Sequence, residues 1–170
     1  MIRRTPIAAL LGSCHPEPVV AVTAISTALA AAAGLGWRSA LVCAAVVAGQ
    51  LSIGWGNDYL DRDRDREALR ADKPVALGLV SSTLVGRAAL VALAVCVPLS
   101  FALGWRAGLA HLLTVGGGWV YNLLAKATAW SVVPYVVAFG ALPSVVTLAA
   151  HSPGLAPWWA TAGGALLGTP

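Results

Sequence analysis

The sequence predicts an all-α fold, a polytopic bundle of transmembrane helices, on three observations. Hydrophobic residues make up 58% of the 170 and charged residues only 11%, with a mean hydropathy of +0.78, whereas soluble domains carry roughly 25% charged residues. The apolar residues gather into runs close to the 20 or so that a membrane-crossing helix needs. These runs do not alternate apolar with polar positions, as the strands of a membrane β-barrel must. Richness in Ala, Gly, Leu and Val suits helices that pack closely on small residues, because lipid supplies no hydrophobic drive between them.

Five spans and the start of a sixth are expected. The first covers residues 19–35 and the second 39–56; a charged segment follows, then spans at 81–103, 107–121 (short) and 130–150, and a last apolar run from Pro157 to Pro170. Arg3 and Arg4 precede an apolar stretch, but no small-residue cleavage site stands before His15-Pro16-Glu17-Pro18, so a cleaved signal peptide is not expected. With the N-terminus in the cytoplasm, Arg3, Arg4, Arg62, Arg64, Arg66, Arg70, Lys73, Arg87 and Lys126 fall inside, and Arg38 and Arg106 outside. The positive-inside rule selects that orientation. Trp37, Trp55, Trp105, Trp130, Trp158 and Trp159 lie near span ends, where amphipathic rings favour the interface.

Other patterns exclude alternatives. The formal charge of +4 is scattered between apolar runs and forms no basic stripe for nucleic acid. Cys14, Cys43 and Cys96 are isolated, which indicates packing residues and neither a disulfide framework nor a zinc site. Gly116-Gly117-Gly118 and the run from Ala30 to Gly36 are expected where helix backbones approach closely. Gly34-x-Gly36 lacks the third glycine of a dinucleotide fingerprint. His111, inside a span, is expected to be a hydrogen-bonded packing residue.

Chemistry concentrates in one segment. Six of the seven acidic residues lie between Asp58 and Asp72, continuing the second span in Asn57-Asp58-Tyr59-Leu60-Asp61-Arg62-Asp63-Arg64-Asp65. On a helix Asn57, Asp61 and Asp65 recur every four residues and Asp58, Asp61 and Asp65 follow i, i+3, i+7 spacing, so all four can share a face. A solvated, salt-bridged helix would explain Asp61–Arg64, Arg62–Asp65, Asp63–Arg66 and Glu67–Arg70, each three apart. Against it, Asp61–Asp65, Asp63–Glu67, Arg62–Arg66 and Arg66–Arg70 are like charges four apart, each unfavourable by about 0.2–0.5 kcal/mol. A carboxylate face turned into the protein needs a cation. Mg²⁺, which binds through one or two carboxylates plus substrate phosphates and waters, suits it. Asp63, Glu67 and Asp72 are expected to stay solvated beside arginines, and Arg87 to snorkel to the interface.

At these residues the sequence resembles the UbiA family of membrane prenyltransferases, whose first acidic motif is N-D-x-x-D-x-x-x-D. Asn57, Asp58, Asp61 and Asp65 match every fixed position. Arg70, Lys73-Pro74, Gly78 and Ser81 resemble the basic pair, glycine and serine that follow in the family, with lysine in place of the usual arginine before proline. Tyr121-Asn122-Leu123-Leu124-Ala125-Lys126 resembles the tyrosine and lysine found after the family's fourth helix. The resemblance implies a single domain over 1–170, with residues 57–80 as a cytoplasmic acidic-motif loop, and richness in Ala, Gly and Arg relative to Lys points to a bacterial cell membrane. It implies Asp58, Asp61 and Asp65 as catalytic carboxylates that hold Mg²⁺ together with Asn57. It further implies Arg70, Lys73, Tyr121 and Lys126 at the prenyl diphosphate, and transfer of the prenyl group to an aromatic or other lipophilic acceptor.

The family has about nine helices and a second acidic motif after the sixth, while nothing from Ala127 to Pro170 is acidic. A C-terminally incomplete family member, inactive or retaining only the first motif, is therefore the alternative expectation, and a small membrane transporter a remoter one. The CDP-alcohol phosphotransferases, which need glycine after their second aspartate, are excluded by Arg62.

Overall fold

The computed structural model describes residues 5–169. Arg3, Arg4 and Pro170 lie outside the described residues, and with them that part of the charge count. The described chain is all-α, an integral membrane bundle of seven helices. Helix α1 spans Pro6–Gly12 and starts at Thr5, whose hydroxyl accepts from the Ala8 N–H. Helix α2 spans Pro16–Ala32, with Pro16 in the first turn where its missing N–H costs nothing. The two are bent by 65° at their junction. Helix α3 (Arg38–Glu67) has 30 residues, and α4 (Ser82–Ala102) begins at Ser81, whose side chain caps the Leu84 N–H. Helix α5 (Trp105–Val120) runs directly into a π-helical turn, Tyr121–Ala125. Helices α6 (Val132–Ala149) and α7 (Trp158–Leu167) follow.

Three helices, α3, α4 and α6, are long and apolar enough to cross a membrane, and the bent α1–α2 pair makes a fourth if it counts as one span. The expected fourth and sixth spans fall short: α5 has 16 residues and α7 has 10. The segment expected as a loop at 57–80 also divides. Residues up to Glu67 continue α3, because no glycine or proline interrupts them after Gly56 and Arg64 and Arg66 in the last turn complement the helix dipole. The helix stops where Leu69 turns left-handed (φ 51°) and the Arg70 N–H folds back to the Asp65 carbonyl.

Successive helices pack as neighbours, α2 on α3, α3 on α4, α4 on α5, α5 on α6 and α6 on α7, and α2 closes the ring against α6. The largest apolar cluster joins Val22, Val42, Val46, Leu103, Ala107, Val145 and Val146. It gathers at the end of the bundle where α2 turns into α3 and α4 into α5, and there the Arg38 guanidinium donates to the Leu103 carbonyl at 2.7 Å. Gly34 and Gly36, expected at a helix contact, make that first turn instead; both have positive φ (74° and 56°) with open space beside them. Gly118 does mark a close approach, since a Cβ there would lie 2.6 Å from Ile53 Cδ1. Gly54 is tighter still: a Cβ there would run into the Cys14 carbonyl oxygen, so the α1–α2 junction sits directly on α3. Trp37, Trp105, Trp130, Trp158 and Trp159 are exposed, as interfacial anchors are. Trp55 is turned inward, donating its indole N–H to the Leu10 carbonyl.

Candidate functional site

At the other end of the bundle the helices part around a cavity of about 390 Å³. Its walls come from the α1–α2 junction, α3, the 68–80 connection, the α5–π-turn junction and α6. From α3 the cavity receives Asn57, Asp61 and Asp65, the three residues spaced by four, together with Gln50 and Arg64. From elsewhere come Arg70, Lys73, Tyr121, Asn122, Lys126 and Tyr135. Seven of the eight residues singled out in the sequence thus line one cavity. The eighth, Asp58, is buried just behind the wall (1% side-chain exposure).

The charges pair across the chain. Lys73, from the connection after α3, donates to Asp58 Oδ1 at 2.6 Å, with the lysine side chain 9% exposed. The same ammonium lies 2.7 Å from His15 Nε2. His15 Nε2 also lies 3.1 Å from Asp58 Oδ1, so imidazole, ammonium and carboxylate form one three-way cluster. Lys126 donates to Asp61 Oδ2, and this pair is largely buried. Asp61 therefore does not use Arg64, nor Asp65 Arg62; of the four local pairs three apart, Asp63–Arg66 forms, at 3.3 Å between exposed side chains. Arg70 gives Asp72 two hydrogen bonds of 2.8 and 2.7 Å. These hold the Asp72 carboxyl well below the usual carboxylate range and raise the Arg70 guanidinium in turn. Both side chains are exposed, and Arg70 lines the cavity.

The π-helical turn sets the opposite wall. Residues five apart on an α-helix turn through about 500° and end about 140° apart, which would send Tyr121 and Lys126 to different faces. Here the Lys126 N–H bonds to the Tyr121 carbonyl at 3.0 Å, an i→i+5 link, and both side chains reach the cavity. Between them Asn122 accepts from Asn57 Nδ2 at 2.9 Å and donates to the Ile53 carbonyl at 3.0 Å. The amide nitrogen of Asn57 is thereby engaged, and the oxygen end of the amide is left as a donor atom for a cation. The Tyr121 ring stacks at a tilt on Tyr135, centroids 4.5 Å apart.

Sequence reasoning missed His15, Asn122, Arg64 and Tyr135. His15 had one signal, its place before Pro16-Glu17-Pro18 where the chain must turn; it adopts a left-handed φ of 57°. His111 is a packing residue, 2% exposed, with Nδ1 2.7 Å from the Ser100 hydroxyl. Among the described residues the three cysteines are unpaired thiols.

Among the described residues, no three His, Cys, Asp or Glu side chains already converge on a metal position. The donor set nevertheless fits a hard cation that completes its shell with phosphate and water: Asn57, Asp61 and Asp65 bring oxygens to the cavity. Asp58 Oδ2 adds a buried carboxylate oxygen with no hydrogen-bond partner.

A second, apolar groove of about 460 Å³ lies between α2, α6 and α7. Val22 and Phe139 line both spaces, so the polar cavity and the apolar groove adjoin.

Searches of curated proteins and of solved structures give no match. A family model does match, that of the UbiA prenyltransferase family, over residues 19–170. That span takes in α2 from its fourth residue, every helix after it, and all of the cavity lining except Cys14, His15 and Pro18. The chain belongs to the UbiA prenyltransferase family, a family of membrane prenyltransferases whose members generally use a divalent metal.

Proposed function

We propose that this protein catalyses the Mg²⁺-dependent transfer of a prenyl group from a prenyl diphosphate to an aromatic or other lipophilic acceptor within the membrane. The observation that supports it most is the adjoining of two unlike spaces, a cavity walled by carboxylates and lysines and an apolar groove beyond Val22 and Phe139. A prenyl diphosphate has the same two halves. Asn57, Asp61 and Asp65, with Asp58, would hold the metal, which when bound supplies positive charge to the leaving diphosphate. Lys73 and Lys126 meet its oxygens, and Arg64 and Arg70 stand close by. Stabilising the leaving anion lets the allylic C–O bond ionise. The faces of Tyr121 and Tyr135 at the cavity suit the resulting carbocation, because aromatic rings attract cations. The acceptor carbon then bonds to the carbocation and gives up its proton.

The charge distribution supports a cytoplasmic acidic motif. Among the described residues, Arg62, Arg64, Arg66, Arg70, Lys73, Arg87 and Lys126 lie at the motif end of the bundle, and Arg38 and Arg106 at the other, in keeping with the positive-inside rule. Richness in Ala, Gly and Arg over Lys supports a bacterial cell membrane.

The test is binding of a prenyl diphosphate to the purified chain in detergent, with and without Mg²⁺, in the native protein and Asp61→Asn, followed by transfer to aromatic acceptors. Magnesium-dependent binding weakened about 100-fold or more in the variant is expected, the scale of losing one charge-stabilising group. Equal binding in the two proteins overturns the proposal. Tight magnesium-dependent binding with no product from any acceptor overturns the transfer step.

A further inference from the structure

Two of the motif's carboxylates are already occupied by cations of the protein itself. Lys73 holds Asp58, and Lys126 holds Asp61; among the described residues no ion pair engages Asp65. A divalent ion arriving alone meets Asp58 through Oδ2, on a carboxylate whose Oδ1 already holds an ammonium 2.6 Å away, or expels Lys73 from a place where it is almost fully enclosed. Expulsion leaves a buried ammonium short of an anion, which is costly. A diphosphate changes this balance, since its oxygens offer both lysines a new partner as the metal takes the carboxylates. In the empty protein His15 Nε2 lies against both Lys73 and Asp58.

We propose that Lys73 and Lys126 are internal competitors of the metal, occupying Asp58 and Asp61 in the empty protein and releasing them only to a diphosphate, so that metal and diphosphate bind together and free cation binds poorly. This rests on the function proposed above and adds an order of binding to it. The metal-accepting arrangement is then a minor state of the empty protein, and apparent affinity for free metal falls by the fraction in which that state is populated.

The experiment measures Mn²⁺ binding to the full chain in detergent by the paramagnetic resonance signal of the free ion, with and without inorganic pyrophosphate. The proteins are native, Lys126→Met, Lys126→Arg and Asp61→Asn. Lys126→Met is expected to bind Mn²⁺ alone about ten-fold or more tightly than native, the scale of an ordinary coupling between ligands, while its pyrophosphate affinity falls. Lys126→Arg, which keeps the charge, should bind free Mn²⁺ as weakly as native. If Lys126→Met binds free Mn²⁺ no more tightly than native, the competition is overturned while the metal site stands. If native and Asp61→Asn bind Mn²⁺ alike, with pyrophosphate present or absent, the metal site itself is lost and the inference with it.

Discussion

Asp58 and Lys73 are the most enclosed ion pair in the described structure, with side chains 1% and 9% exposed. Such a pair contributes little beyond what apolar residues would give, but breaking it from one side strands a charge. Asp58→Asn should therefore lower stability by about 3–5 kcal/mol, read from denaturant unfolding in detergent. Adding Lys73→Met to that variant should recover much of the loss; a double variant as unstable as the sum of the two single ones would show that the pair is not coupled. The acids were legible in the sequence, but their partners were not. Spacing exposes only local pairs, such as Asp61 and Arg64, three residues apart. Its real partner is Lys126, 65 residues away, and that choice depends on how α3 lies along α5 and its π turn. His15 was less legible still: a lone histidine beside prolines has no periodicity, and its contact with Lys73 spans 58 residues.

At the scale of the element, the five-residue π turn decides which side chains after α5 face inward. Deleting Leu123 should convert it to ordinary helix in which Lys126 follows Tyr121 by four residues, about 40° away and on the same face. The expected result is unchanged helical content by circular dichroism with pyrophosphate affinity largely kept. A loss of about 100-fold, as misplacing a group by an ångström can do, would mean that the π turn itself sets the reach of Lys126. Helix-period reasoning could not find this feature, because a π turn breaks the 3.6-residue repeat on which such reasoning rests. The apolar runs, in contrast, located α2 to α6 closely, since membrane solvent writes span length directly into composition. They closed the second span at residue 56 where α3 runs on to Glu67, because the apolar run ends there while helical hydrogen bonding continues. Gly54 supplies a second test at this scale: Gly54→Ala should destabilise the protein by about 1–3 kcal/mol through overpacking against the Cys14 carbonyl. A thermal unfolding midpoint equal to the native one would contradict the close seating of the α1–α2 junction.

The whole molecule is a ring of helices fastened at one end by an apolar core and opened at the other by charge, with the groove along α2, α6 and α7 leading away from the opening. If the prenyl chain follows that groove, it passes Phe139 and Val22. Phe139→Trp should then favour a ten-carbon over a twenty-carbon prenyl diphosphate by about ten-fold in kcat/KM, a pocket-shape discrimination of ordinary size, measured with both donors in competition. An unchanged ratio would route the chain elsewhere. The length of α3 has its own consequence. Thirty residues at about 1.5 Å each make about 45 Å, against about 30 Å of hydrocarbon, so the acidic end of the helix stands clear of the oily layer. The most heavily hydrated part of the donor never has to be stripped of water and carried to the bilayer midplane. After the bond breaks, the anion can depart directly into the aqueous phase, while the oily product stays behind among the lipids.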